Sequence, residues 1–75
     1  MDKTELRNKI EYIVTIVSCF AERFKLSNTE AYSYLHRFLG IDFLIRHYDV
    51  VHTLSIENVV DDMQFYCFNK GGRIE

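Results

Sequence analysis

Apolar residues recur every three or four positions through the first third of the chain, which is the spacing of one face of an α-helix. This stripe predicts a first helix over residues 4–25, and it consists of Leu6, Ile10, Ile13, Val17, Phe20 and Phe24. Each residue turns a helix by about 100°, and with the further apolar residues the apolar face covers about 220° of the circumference. A surface helix needs an apolar arc of only somewhat over 100°. The first helix is therefore expected either to lie at the centre of a bundle or to contact another chain.

A second helix is predicted to begin after Ser27, because Ser27 and Glu30 have the spacing of a capping box. Gly40 is expected to end this helix, since glycine adopts the left-handed conformation at little cost. A short third helix is predicted over residues 41–48, with Asp42 as a candidate N-cap. Its first residues are apolar on nearly all sides, so this helix is expected to be buried.

Residues 49–54 form the least regular stretch, and Ser55 is predicted to cap a last helix that ends near Asn69 before two glycines. The residues of this helix predicted to face the core are Ile56, Val59, Val60, Met63 and Cys67. Together the elements predict one all-α domain over residues 1–75, a small bundle of three long helices and one short helix.

Composition excludes several classes of protein. Hydrophobic residues make up 48% of the 75 residues, which argues against intrinsic disorder. The net charge is −2 and the basic residues are scattered, which argues against a nucleic-acid-binding stripe. The apolar stretches are too short and too interrupted to span a membrane. The polar start does not resemble a secretory signal, so we expect a cytoplasmic protein with Cys19 and Cys67 reduced.

The candidate chemical groups match no known catalytic or metal-binding spacing. His36, His47 and His52 do not combine with the two cysteines in a zinc pattern. Asp49 lies three residues before His52 and could orient its imidazole, but no nucleophile follows at a recognised spacing. The alternative is that both side chains bond backbone groups in a loop. We expect no enzyme activity, no cofactor and no metal.

The last helix carries the clearest candidate for a binding surface. Phe65 lies opposite the predicted core stripe among acidic residues, so it is expected to be exposed or covered by another chain. The alternative is that the first helix or the C-terminal tail covers it. The residues predicted to contact a partner are Tyr48, Asp49, His52, Asp61, Asp62, Phe65 and Phe68.

Two other kinds of partner follow from the same pattern. The second and third helices are close enough in sequence for a helix-turn-helix that binds DNA, although the third offers only Arg46 and His47 to a duplex. A homodimer would use the wide apolar face of the first helix, with Tyr12, Ile16 and Cys19 at the seam.

Several segments resemble the family known as domain of unknown function 3791. The similar segments are Glu30-Ala31-Tyr32, Leu35–Phe38, Gly40-Ile41-Asp42-Phe43-Leu44, Tyr48-Asp49-Val50-Val51-His52-Thr53-Leu54-Ser55, Val60-Asp61-Asp62 and Lys70-Gly71-Gly72. They cover the chain from about Leu26 onward, and the first helix is similar more loosely.

The resemblance implies a compact, helical, cytoplasmic bacterial protein. Members of that family often accompany toxin-like proteins with an ADP-ribosyltransferase-type fold, so the resemblance implies an antitoxin or accessory binding role. No catalytic residue comes with the family. We therefore expect a protein-interaction module whose partner is a toxin-like enzyme, and we keep the DNA-binding regulator as the alternative.

Overall fold

A computed structural model describes residues 3–72, and the secondary structure within that range is entirely helical. The helices are α1 Lys3–Phe24, α2 Asn28–Arg37, α3 Gly40–Arg46, α4 Tyr48–Val51 and α5 Ile56–Asn69. The all-α prediction is confirmed. The predicted count of three long helices and one short helix is not confirmed, because the described range holds five helices and two of them have only seven and four residues.

The second half of α1 forms the centre of the fold. Helices α2, α3 and α5 all pack against α1. Phe20 is fully buried, and its ring lies 4.7 Å from that of Phe24 and 5.6 Å from that of Tyr34 in α2. The buried hydrophobic side chains are Ile16, Val17, Phe20, Ala21, Ala31, Leu35, Ile41, Leu44, Val51, Val59, Val60, Met63 and Cys67, and none of the buried side chains in the described range is polar or charged. All are apolar, so the core gains its stability from removing apolar surface from water.

The predicted capping box starts α2. The backbone N–H of Glu30 donates to Oγ of Ser27 at 3.0 Å, and the N–H of Ser27 donates to Oε1 of Glu30 at 3.0 Å. These two bonds satisfy donors that the first turn of a helix leaves without partners. They also favour the ionised carboxylate, and the pKa of Glu30 is accordingly lowered.

The junction of α2 and α3 differs from the prediction. Leu39, with φ of 66°, takes the left-handed conformation expected of Gly40, and Gly40 is instead the first residue of α3. A Cβ on Gly40 would lie 3.1 Å from Sγ of Cys67 and 3.1 Å from Cδ2 of Leu35. Gly40 therefore permits the close approach of α3 to its neighbours, and the left-handed backbone conformation falls on Leu39.

The short helices also depart from the predicted boundaries. Asp42 is not an N-cap, because it lies within α3 and pairs with Arg46 at 3.4 Å. Helix α3 was expected to reach Tyr48 but ends before His47. Residues 48–51 form the separate helix α4, although an irregular stretch was expected over residues 49–54. Only part of α3 is buried, since its Ile45 lies about half exposed on the outer side.

The predicted boundaries of α5 are correct. Oγ of Ser55 accepts the backbone N–H of Asn58 at 3.2 Å, and the helix ends at Asn69. Gly71, with φ of 94°, adopts the left-handed conformation that ends the helix, and its N–H donates to the carbonyl of Phe68. Four of the five predicted core residues are buried, whereas Ile56, in the first turn, is exposed.

Substituting Gly40 with alanine is expected to lower the free energy of unfolding by about 1–2 kcal/mol, because crowding against Leu35 and Cys67 outweighs the helix preference of alanine. Urea unfolding followed by circular dichroism measures this change. Ser33→Ala, on the exposed side of α2, is the matched control and should change little. Equal stability of Gly40→Ala and the wild type would show that Leu35 and Cys67 can accommodate a Cβ at residue 40 without cost.

Glu30→Ala is expected to destabilise the protein at pH 7, and the difference from the wild type should shrink in acid. The folded-state pKa of Glu30 lies below the ordinary value of 4.5. Its contribution is therefore complete above that ordinary value and is lost as the pH falls through the lowered folded-state pKa. Urea unfolding of both proteins across this range measures the difference. A gap independent of pH would mean that the carboxylate charge does not stabilise α2.

Candidate functional site

The outer face of α5 presents two phenylalanines to solvent. Phe65 is 70% exposed, as predicted from its helical position, and Phe68 is 60% exposed. Asp61 and Gln64 lie beside them, and the four side chains surround a surface depression of about 410 Å³. We call these four residues the α5 patch. Spacings of three, four and seven residues bring its members onto one side of the helix.

The charge of this face is acidic. Helix α5 carries Glu57, Asp61 and Asp62 and no basic residue. Arg23, in the last turn of α1, forms an ion pair with Asp61. This pair joins α1 to α5 and offsets one of the three negative charges, which the sequence did not indicate. Asp62 lies exposed on the neighbouring side of the helix.

The second predicted group, Tyr48, Asp49 and His52, lies on and after α4. Tyr48 is half-buried and packs edge to face on Tyr12 with ring centroids 5.5 Å apart. The His52 ring stacks on that of Tyr48 at 4.7 Å. Nδ1 of His52 lies 2.6 Å from the backbone carbonyl of Tyr48. Because a carbonyl only accepts, Nδ1 carries the proton in this bond, and the imidazole is oriented by the backbone rather than by Asp49.

An apolar groove that the sequence interpretation missed lies along the middle of α1. It has a volume of about 550 Å³ and is open to solvent. Its apolar lining includes Ile10, Val14 and Val17 from α1, Tyr32 from α2, and Ile41 and Ile45 from α3. We call this feature the α1 groove.

The α1 groove lies on a different side of α1 from the predicted dimer seam. Ile16 of that seam is fully buried. The Tyr12 hydroxyl donates to the carbonyl of Val51 at 3.1 Å, which holds α4 against α1. The predicted seam is therefore wrong. The sequence feature that could have revealed the groove is the spacing of Leu6, Ile10 and Val14, which lie four residues apart. In the structure each of these side chains is about half exposed.

The two cysteines differ in environment, and both are free thiols. Burial raises the pKa of Cys67 to about 11. Cys19 is partly exposed in a shallow depression beside Glu22 and Glu57. Within residues 3–72, no three or more His, Cys, Asp or Glu side chains are grouped to hold a metal ion. None of the helices in that range combines the length and apolar character needed to cross a membrane.

Residues 3–72 thus form an all-helical fold whose distinctive surface features are exposed apolar side chains. A family model described as protein of unknown function (DUF3791) matches residues 11–70. The chain belongs to that family, which confirms the resemblance found in the sequence. Comparison with curated proteins and with solved structures gives no match.

Thiol alkylation of the folded protein near pH 8 should modify Cys19 and spare Cys67, because the thiolate is the reactive form and the raised pKa keeps Cys67 protonated. Mass spectrometry of peptides measures each site. In denaturant both cysteines should react, which serves as the control. Equal rates in the folded protein would show that α5 opens readily from the core.

Proposed function

We propose that this protein is a protein-interaction module that binds another protein through the α5 patch. The observation that supports this most strongly is the exposure of Phe65 and Phe68 side by side. Aromatic side chains that fill pockets of a partner contribute most of the energy in many interfaces. Single exposed apolar residues are ordinary, but two adjacent phenylalanines around one depression offer a partner a defined contact.

The partner in this proposal has a basic surface around an apolar contact. Helix α5 contributes three negative charges and no positive charge, and Arg23 balances only one of them. Complementary charge would speed the encounter and make the association rate fall with salt. Tyr48, Asp49 and His52 are a weaker second contact region, because Tyr48 already packs against Tyr12 and His52.

The biological role that we propose is that of an antitoxin-like or accessory partner of a toxin-like enzyme in the cytoplasm. The family resemblance implied such a role, and the free thiols fit a reducing compartment. The mechanism is occlusion, in which a preformed helical surface covers the cleft of the enzyme. This mechanism requires no catalytic group from the chain. It requires a rigid surface, and the Ser55 cap together with the ion pair between Arg23 and Asp61 fixes α5 for that purpose.

DNA binding gains no specific support from the arrangement of α2 and α3. A recognition helix presents polar and basic side chains to the major groove. Helix α3 has seven residues, buries Ile41 and Leu44, and pairs its Arg46 with Asp42. This short helix therefore offers a duplex few side chains for base or phosphate contacts.

Replacing Phe65 and Phe68 with serine should abolish binding of the partner without unfolding the chain, since both side chains are mostly exposed. Tagged wild type and the double variant would be used for affinity capture from the host, with quantification by mass spectrometry. Leu54→Ser removes an exposed apolar side chain outside both proposed contact regions and is the matched control. A toxin-like enzyme should be captured in stoichiometric amount by the wild type and by the control.

Direct titration of the captured partner then tests the mechanism. Loss of two aromatic contacts should weaken the affinity by about a hundredfold or more, which corresponds to hot-spot side chains. The wild type should also inhibit the activity of the enzyme in proportion to the bound fraction. Unchanged affinity of the double variant would contradict the assignment of the α5 patch.

A further inference from the structure

Residues 6–14 of α1 include apolar side chains that the rest of the described chain covers only in part. Leu6, Ile10 and Val14 follow one another at intervals of four residues and lie about half exposed. At a rise of 1.5 Å per residue, they form a ridge about 12 Å long on the surface of the helix. Tyr32 and Ile45, also about half exposed, lie across the α1 groove from this ridge.

The other side of this part of α1 is already occupied. Tyr12 bonds the carbonyl of Val51, and the Lys9 ammonium lies 5.7 Å from the centre of the Tyr48 ring. These contacts attach the helix to α4 and fix its direction. The ridge therefore faces solvent on a helix whose position is already fixed. A partner that binds the ridge consequently loses little binding free energy to ordering the chain.

We propose that this ridge packs against the same ridge of a second copy of the chain, forming an antiparallel pair of α1 helices about a two-fold axis near Ile10. Ridges built from residues four apart interdigitate with one another at a crossing angle of about −50°. In an interface of this symmetry the same residues are used on both sides. The second helix would cover the α1 groove, including Tyr32 and Ile45.

The charges beside the ridge support a second copy as the occupant. Arg7 and Glu11 lie one turn apart on one flank of the ridge and pair with each other at 3.2 Å. An antiparallel two-fold near Ile10 keeps this flank of the ridge on the same side in both copies, so it brings Arg7 of each copy toward Glu11 of the other. Each charge therefore meets an opposite charge in the proposed arrangement.

The local charge balance distinguishes this surface from the α5 patch. Residues 3–11 carry three basic and two acidic side chains, so they do not favour a strongly charged partner. A second copy of the chain carries the same basic and acidic residues, so the charges on each copy can face opposite charges on the other. This inference goes beyond the proposed function, because it concerns a different face and a different partner.

The contact is small, so the dimer is expected to be weak, with a dissociation constant on the order of tens of micromolar. Sedimentation velocity of the full chain at concentrations up to about 1 mM should show a monomer that converts to a dimer. Ile10→Glu should eliminate the dimer. Thr15→Glu, which adds the same charge on the exposed side of α1 away from the ridge, should retain it.

The sharpest test exchanges charges between copies. Arg7→Glu places acidic residues opposite each other, and Glu11→Arg places basic residues opposite each other. Each variant alone should dimerise about tenfold more weakly, as expected for two exposed ion pairs that become repulsive. An equimolar mixture of the two variants should regain the affinity of the wild type, because positions 7 and 11 are then both acidic in one chain and both basic in the other. Changes within each helix are the same before and after mixing, so recovery reports contacts between chains.

Several outcomes would overturn the proposal. These are a monomer throughout the concentration range, a dimer that tolerates Ile10→Glu, or failure of the mixed variants to recover affinity. Loss of a heterologous partner with Ile10→Glu, while the chain alone stays monomeric, would also overturn it and assign the α1 groove to another protein. The Phe65 and Phe68 double variant should dimerise normally, so failure here leaves the function proposed for the α5 patch to be judged separately.

Discussion

The fold depends on the packing of three helices around the second half of α1. Phe20 is the central side chain, and Ile16 and Val17 extend its buried surface toward the other helices. A chain of 75 residues can bury only a small core, and most of the helix packing is concentrated on this segment of α1. On one side, the first half of α1 contacts α4 through Tyr12 and Lys9. Its apolar ridge is exposed as a direct result of how few residues surround it.

The two exposed apolar surfaces differ in a way that bears on their partners. The α5 patch combines two aromatic rings with Asp61, which is paired with Arg23, and it lies on a helix that also carries Glu57 and Asp62. The α1 groove has apolar walls, and the paired Arg7 and Glu11 lie beside its ridge. Apolar area supplies the driving force for either contact, and charge decides which partner is favoured. Because the surfaces lie on different helices, one chain could use both at once. A dimer formed through α1 would then present two α5 patches, which raises avidity for a partner with two sites.

Local signals made much of the secondary structure predictable. The capping box at Ser27 and the Ser55 cap place helix starts through side-chain hydrogen bonds, so the starts of α2 and α5 follow from a few adjacent residues. The exposure of Phe65 followed from helical spacing alone. In each case the deciding interaction lies within one or two turns of the residue concerned.

The features that the sequence did not predict depend on contacts between distant residues. Gly40 was assigned a left-handed conformation because glycine adopts it easily, but tight packing against Cys67 places Gly40 in α3 and the left-handed conformation on Leu39. Helix α4 has four residues, too few for a periodic pattern. The α1 groove was missed because helical spacing reveals an apolar face without revealing which part of it the rest of the chain covers.

The connections between the helices have a consequence for how the protein reaches its fold. They contain between one and four residues, so bringing successive helices together costs little chain entropy. The packing of α5 on α1 is the principal contact between residues far apart in the sequence. Chains dominated by contacts between near neighbours fold rapidly. We therefore expect newly made chains to spend little time with the core open, which limits the aggregation that apolar side chains would otherwise promote during synthesis.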